Sequence, residues 1–165
     1  MGQPAAYAEF DQVKAQGHFT VVDAMDLALL TGQRPADVLK LKRTDIRDGA
    51  LWIVQNKTGA RLGIEVTGEL AAVIARTNER PRRAISAWLV QDENGQALSS
   101  FALRSRFDKA RNLANVDFQF RDIRAKAATD TGDLAHSQKL LAHKNRDMTE
   151  RYVRVRLGER IKPLR

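Results

Sequence analysis

Five side chains stand where phosphate chemistry would need them, and a sixth sits in an exposed turn. Arg34 follows Thr31-Gly32-Gln33 and precedes Pro35, at a junction between two predicted helices. A guanidinium there can present its planar donor fork to a phosphate. Arg121 and Arg124 are three apart, so they share one face at the start of a helix, an end that itself favours anions. His143 closes an apolar helix, and Tyr152 follows nine residues later between Arg151 and Arg154. A phenol is a weak nucleophile at its free pKa of about 10. Surrounding cations stabilise the phenolate and make attack feasible. Arginines, a histidine and a late tyrosine are thus parts suited to attack on a phosphate ester without a metal. Each residue also has a plainer reading: a solvated arginine, a capping histidine, a tyrosine packed inward. Lys57, in the turn Asn56-Lys57-Thr58-Gly59, reads on its own as a solubilising charge.

These residues need a scaffold, and the periodicities supply one. Helices are expected over 5–16, ended by Gly17, over 20–30, where Val21, Val22, Met25, Leu29 and Leu30 recur at helical spacing, and over 36–41. The pattern then changes. Residues 50–54 and 62–66 read as strands around the 56–59 turn, a β-hairpin. Thr67 caps a helix over 68–78, 80–83 is a loop, 88–90 gives a third short strand, and 92–95 is a turn. Helices follow over 100–113, 122–131, 134–142 and 147–155, then a basic tail, 156–165. The fold class is α+β, mostly helical, with a small three-stranded antiparallel sheet.

A chain of 165 residues that is 43% hydrophobic can bury a core of ordinary size. It has no cysteine, which excludes disulfides and thiolate metal sites and suits a reducing compartment. His18 and His136 read as structural or solvated, and no grouping of the histidines with carboxylates has metal-ligand spacing. No cofactor or metal is expected. No apolar run is long enough for a membrane span and the N-terminus lacks a signal peptide's apolar stretch, so the expectation is a cytoplasmic protein. Residues 1–100 carry 12 Lys/Arg against 12 Asp/Glu, whereas residues 101–165 carry 16 against 8, the whole of the +8 net charge. That asymmetry points to a polyanion bound mainly through the second half, or to a solvated basic surface.

Taken together and in this order, the segments Thr31-Gly32-Gln33-Arg34-Pro35-Ala36-Asp37, Asn56-Lys57-Thr58-Gly59, Phe120-Arg121-Asp122-Ile123-Arg124, Leu140-Leu141-Ala142-His143 and Arg151-Tyr152-Val153-Arg154 resemble the boxes of tyrosine recombinases, the phage integrase family. The resemblance implies that fold's catalytic domain. It implies that Arg34, Arg124 and His143 hold the nonbridging phosphate oxygens, that Asp37 helps hold Arg34, and that Lys57 protonates the leaving 5′-oxygen. It makes Tyr152 the nucleophile of a 3′-phosphotyrosyl intermediate on double-stranded DNA. Arg121 stands where the family carries a histidine; an arginine stays protonated and cannot act as a base, though it can still bond an oxygen. Gln33, Pro35 and Ala142 are further departures. The resemblance implies a single catalytic domain over 1–165, core-binding and arm-binding domains absent, a tail over 156–165 that docks on a neighbour, and a tetramer on DNA for the full-length protein. Two alternatives share the motifs: a catalytically impaired DNA-binding remnant and a type IB topoisomerase-like enzyme. An unrelated basic helical protein acting through protein contacts is a third.

Overall fold

The computed structural model describes residues 7–80, 87–131, 134–141 and 160–165. Its elements run α1 (Tyr7–Gln16), α2 (Phe19–Thr31), α3 (Pro35–Leu39), a 3₁₀ turn (Arg43–Asp45), β1 (Ile46–Arg47), β2 (Ala50–Val54), β3 (Arg61–Glu65), α4 (Gly68–Asn78), α5 (Ser100–Ala114), α6 (Asp122–Asp130), α7 (Leu134–Leu141) and β4 (Arg160–Ile161).

Helix α2 is apolar on nearly every face and is accordingly the central post, packed by α1, α3, α4, α5 and α6. Its Met25 and Leu27 join Leu51, Ile53, Ile64, Leu70, Ile123 and Leu140 in one core. Each such side chain contributes roughly 1.5–3 kcal/mol on burial. Two carboxylates on α2, Asp23 and Asp26, are buried with it, and both are paired. Arg76 of α4 lies 2.8 Å from each, Arg80 lies 2.7 Å from Asp23, and Lys14 of α1 lies 2.8 Å from Asp26. The helix stops at Gly32, whose φ of 68° is left-handed and whose N–H bonds Ala28 O at 2.8 Å. A Cβ there would also sit 2.9 Å from the Leu141 side chain, so the site needs glycine twice over.

The hairpin forms as its turn chemistry predicts, with β2 and β3 antiparallel in the register Ala50↔Glu65 to Val54↔Arg61. The third antiparallel strand is not residues 88–90 but β1, paired to β2. Leu89 and Val90 are both fully buried, so the segment lacks the alternation of a sheet edge. It lies instead on the loop after α3, through the Lys42↔Trp88 bridge and the bond Leu89 N to Leu41 O at 3.0 Å. The sheet gains a fourth member that the sequence did not suggest: β4 runs parallel to β3 through Gly63↔Arg160 and Ile64↔Ile161.

The last six residues of the expected neighbour-docking tail pack on their own chain. Ile161 is buried, Leu164 N bonds Leu30 O at 3.2 Å, and the Arg165 guanidinium lies 4.7 Å from the centre of the Tyr7 ring. His136 Nε2 lies 2.8 Å from Lys162 O, a structural role, as expected. The helix expected over 147–155 lies outside the described residues. Among the described residues no helix is long and apolar enough to cross a membrane.

Candidate active site

The site is built around two arginines. Arg34 is the residue before α3, placed there by the left-handed Gly32 and by Pro35, whose fixed φ suits the first helical position. Arg124 lies in the first turn of α6. Its Nε donates to Gly32 O at 2.9 Å and its Nη2 to Leu141 O at 2.7 Å, so it ties the end of α2 to the end of α7. These bonds bring Arg124 within electrostatic reach of Arg34. Burial, then the Arg34 charge, hold the Arg124 guanidinium down to about 10, partly offset by Asp37. It stays cationic at neutral pH, but at a cost. Arg34 Nη1 is buried and has no hydrogen-bond partner among the described residues. A buried guanidinium nitrogen beside a second cation is a site short of an anion.

Asp37 offsets this charge only in part, because its bonds go elsewhere. Its buried carboxylate, expected to help hold Arg34, accepts from Asn56 N at 2.8 Å and lies 3.5 Å from Lys40 Nζ. The carboxylate therefore ties α3 to the hairpin turn. Lys57 follows Asn56 at the turn and is exposed.

Arg121 is also exposed, at the N-terminal end of α6. The approach to it is fixed by aromatic packing. The Phe120 and Phe118 rings meet Phe107 of α5 edge-on, at centroid distances of 5.2 and 5.7 Å. Asp122 accepts from Gln119 N at 2.8 Å. Arg121 borders an open groove of about 560 Å³ that runs past Phe107, Phe120, Arg104 and Pro35.

The structure thus brings Arg34 and Arg124 together, places Lys57 on the hairpin tied to α3, and leaves Arg121 at the groove's edge. His143 and Tyr152 lie outside the described residues; the chain reaches Leu141 beside Arg124 two residues before His143. Gln33 stands in the sequence only as a departure from the family box, and Gln55 belongs to none of the boxes. Both are buried polar residues that bond the last carbonyls of α7. The one signal for Gln55 is a glutamine at the inward end of an apolar strand.

The phage integrase family model matches residues 11–158. The chain belongs to this family. Among known relatives, the integrase of Escherichia phage HK022 is 36% identical over 142 residues, which is 78% of this chain and 40% of that protein. Prophage integrase IntE of Escherichia coli K12 is 34% identical over 158 residues, 82% of this chain and 41% of that one. The chain spans about two fifths of these relatives' length. The lambda integrase catalytic core superposes with a TM-score of 0.76 at 23% identity, over 87% of this chain and 96% of that one. A lambda integrase tetramer bound to a Holliday junction matches at 0.78 and 23%, over 91% of this chain and 47% of that one. The chain therefore has the fold of that catalytic core.

Proposed function

We propose that this chain is the catalytic domain of a phage or prophage integrase, a site-specific recombinase that cuts and rejoins double-stranded DNA. The observation that carries the reading is the buried Arg34 guanidinium nitrogen beside Arg124, unpartnered among the described residues. A scissile phosphate there would supply the missing anion, and the pair would stabilise the further charge that builds on its oxygens in the transition state. His143 adds a donor and Arg121 a flanking charge. Tyr152, its phenolic proton lost to solvent and its phenolate held by the surrounding cations, bonds phosphorus through oxygen as the bond from phosphorus to the 5′-oxygen breaks. That oxygen keeps the electron pair of the broken bond and takes a proton from the Lys57 ammonium, which becomes a neutral amine. A 5′-hydroxyl from the partner duplex then gives its proton to the Lys57 amine, attacks the phosphotyrosine and releases Tyr152, which completes strand exchange. The bond energy is kept in the covalent intermediate, so this scheme needs no nucleotide cofactor.

The chain would act on DNA in the bacterial cytoplasm, within a protein that assembles as a tetramer on its paired sites. Its relatives' integrase names and the tetrameric lambda structure support this. The test is covalent capture. The protein is incubated with nicked, partly randomised duplexes, denatured in detergent and compared with Tyr152→Phe. A protease-sensitive shifted species that disappears in the variant is the expected result. An adduct that survives the substitution would remove Tyr152 as nucleophile, and DNA retention with no adduct would favour the impaired-remnant alternative.

A further inference from the structure

A continuous line of buried amides joins the arginine pair to the lysine turn. The last carbonyls of a helix have no N–H partner within it. At the end of α7, Leu140 O accepts from Gln33 Nε2 at 2.8 Å. Leu141 O accepts from Gln55 Nε2 at 3.1 Å and from Arg124 Nη2 at 2.7 Å, which fills both lone pairs. The second Gln33 hydrogen goes to Thr31 O at 2.7 Å. Gln33 Oε1 accepts from Gln55 Nε2 at 2.7 Å, and Gln55 Oε1 accepts from Thr58 Oγ1 at 2.7 Å, inside the turn itself. Both glutamines are 1% exposed, and both hydrogens of each amide are spent.

The amide orientations are fixed, because three backbone carbonyls must face nitrogen. On the other side of Lys57's backbone, Asn56 N donates to Asp37 and Asn56 Oδ1 accepts from Lys40. Lys57 is therefore exposed yet flanked by anchored residues. Apolar side chains could fill the same space. Amides add register, since any slip of the hairpin against α7 would leave buried donors unpaired.

We propose that Gln33 and Gln55 are positioning residues that set the Lys57 ammonium against the phosphate held by Arg34 and Arg124, and so govern proton delivery to the leaving 5′-oxygen. This rests on the strand-cleavage function proposed above. Two nicked duplexes that differ in one atom, oxygen or sulfur at the bridging 5′ position, test it. A thiolate leaves without a proton, since a thiol has a pKa of about 8.5. Lys57→Ala is the reference, and should slow adduct formation on oxygen by roughly 100-fold or more while sparing sulfur. Gln55→Leu should slow the oxygen substrate at least about 10-fold, a fraction of the loss of the general acid itself, and leave the sulfur rate within about 3-fold.

Thr58→Val, at an exposed position, should show the same pattern more weakly, and Thr58→Ser should restore the rate. Equal slowing of both substrates, or no slowing, by Gln55→Leu or by Thr58→Val would overturn the proposal. If Lys57→Ala itself slowed both equally, the assignment of the lysine as acid would fall first and the positioning role with it. A split seen for Lys57 but not for Gln55 and Thr58 would overturn the positioning role alone.

Discussion

At the residue scale, Arg34 and Arg124 look alike in sequence and do opposite work in the folded chain. Arg124 satisfies two buried carbonyls, so Arg124→Ala leaves Gly32 O short of a donor and weakens the hold on Leu141 O. The expected loss is about 1–3 kcal/mol of stability, together with DNA binding. Arg34 donates no hydrogen bond among the described residues and adds to the charge that Arg124 must bear. Arg34→Ala should therefore leave the melting temperature unchanged or raise it by a few degrees, roughly the effect of 1 kcal/mol in a domain of this size. It should still abolish adduct formation. Thermal melts of the two variants, set beside the capture assay, check this. A destabilised Arg34→Ala would mean that the guanidinium is a structural donor. The contrast was not legible in the sequence, where both arginines fit the family boxes. It depends on which carbonyls lie opposite each fork, and those come from elements ninety residues apart.

At the element scale, the helices among the described residues and the hairpin were legible because their signals are local: helical spacing in α2, turn chemistry at 56–59 and the stop at Gly17. The strand expected at 88–90 and the unexpected β4 mark where local signals end. Two consecutive buried residues satisfy a loop as well as a strand, and a two-residue parallel pairing depends on the partner, not on its own composition. The start of α2 carries a pH dependence of its own. His18 Nδ1 accepts the cap bond from Thr20 N at 3.3 Å, and an accepting nitrogen must be unprotonated. Burial, then Arg106 and Arg80, hold His18 below its ordinary 6.5, against the opposing pull of Glu93. The unfolded chain binds the proton first, so this stability is present above pH 6.5 and is lost as pH falls through the lowered folded value. His18→Asn keeps an acceptor without a titration. It should flatten the melting temperature between about pH 5 and 7, and an unchanged slope would place the acid sensitivity elsewhere.

At the scale of the whole molecule, the charge asymmetry becomes a statement about binding. The excess of Lys and Arg lies in residues 101–165, the half that carries Arg121 and Arg124, while the first half contributes Arg34 and Lys57 from a segment that is neutral overall. A groove bordered by Arg121 and Arg104, together with the half-buried pair Arg34 and Arg124, favours phosphate over base edges. Affinity for duplex DNA should thus fall steeply with salt, by about 0.9 in the log–log slope for each phosphate neutralised. Removing one exposed contact, as in Arg121→Ala, should weaken binding alike on all sequences and lower that slope by about 1. Titrations of labelled duplex at several salt concentrations would measure both. An affinity indifferent to salt would mean that the basic half is a solvated surface, as composition alone allowed. A slope unchanged by Arg121→Ala would leave this residue without a phosphate, although it stands at the N-terminus of the same helix as Arg124.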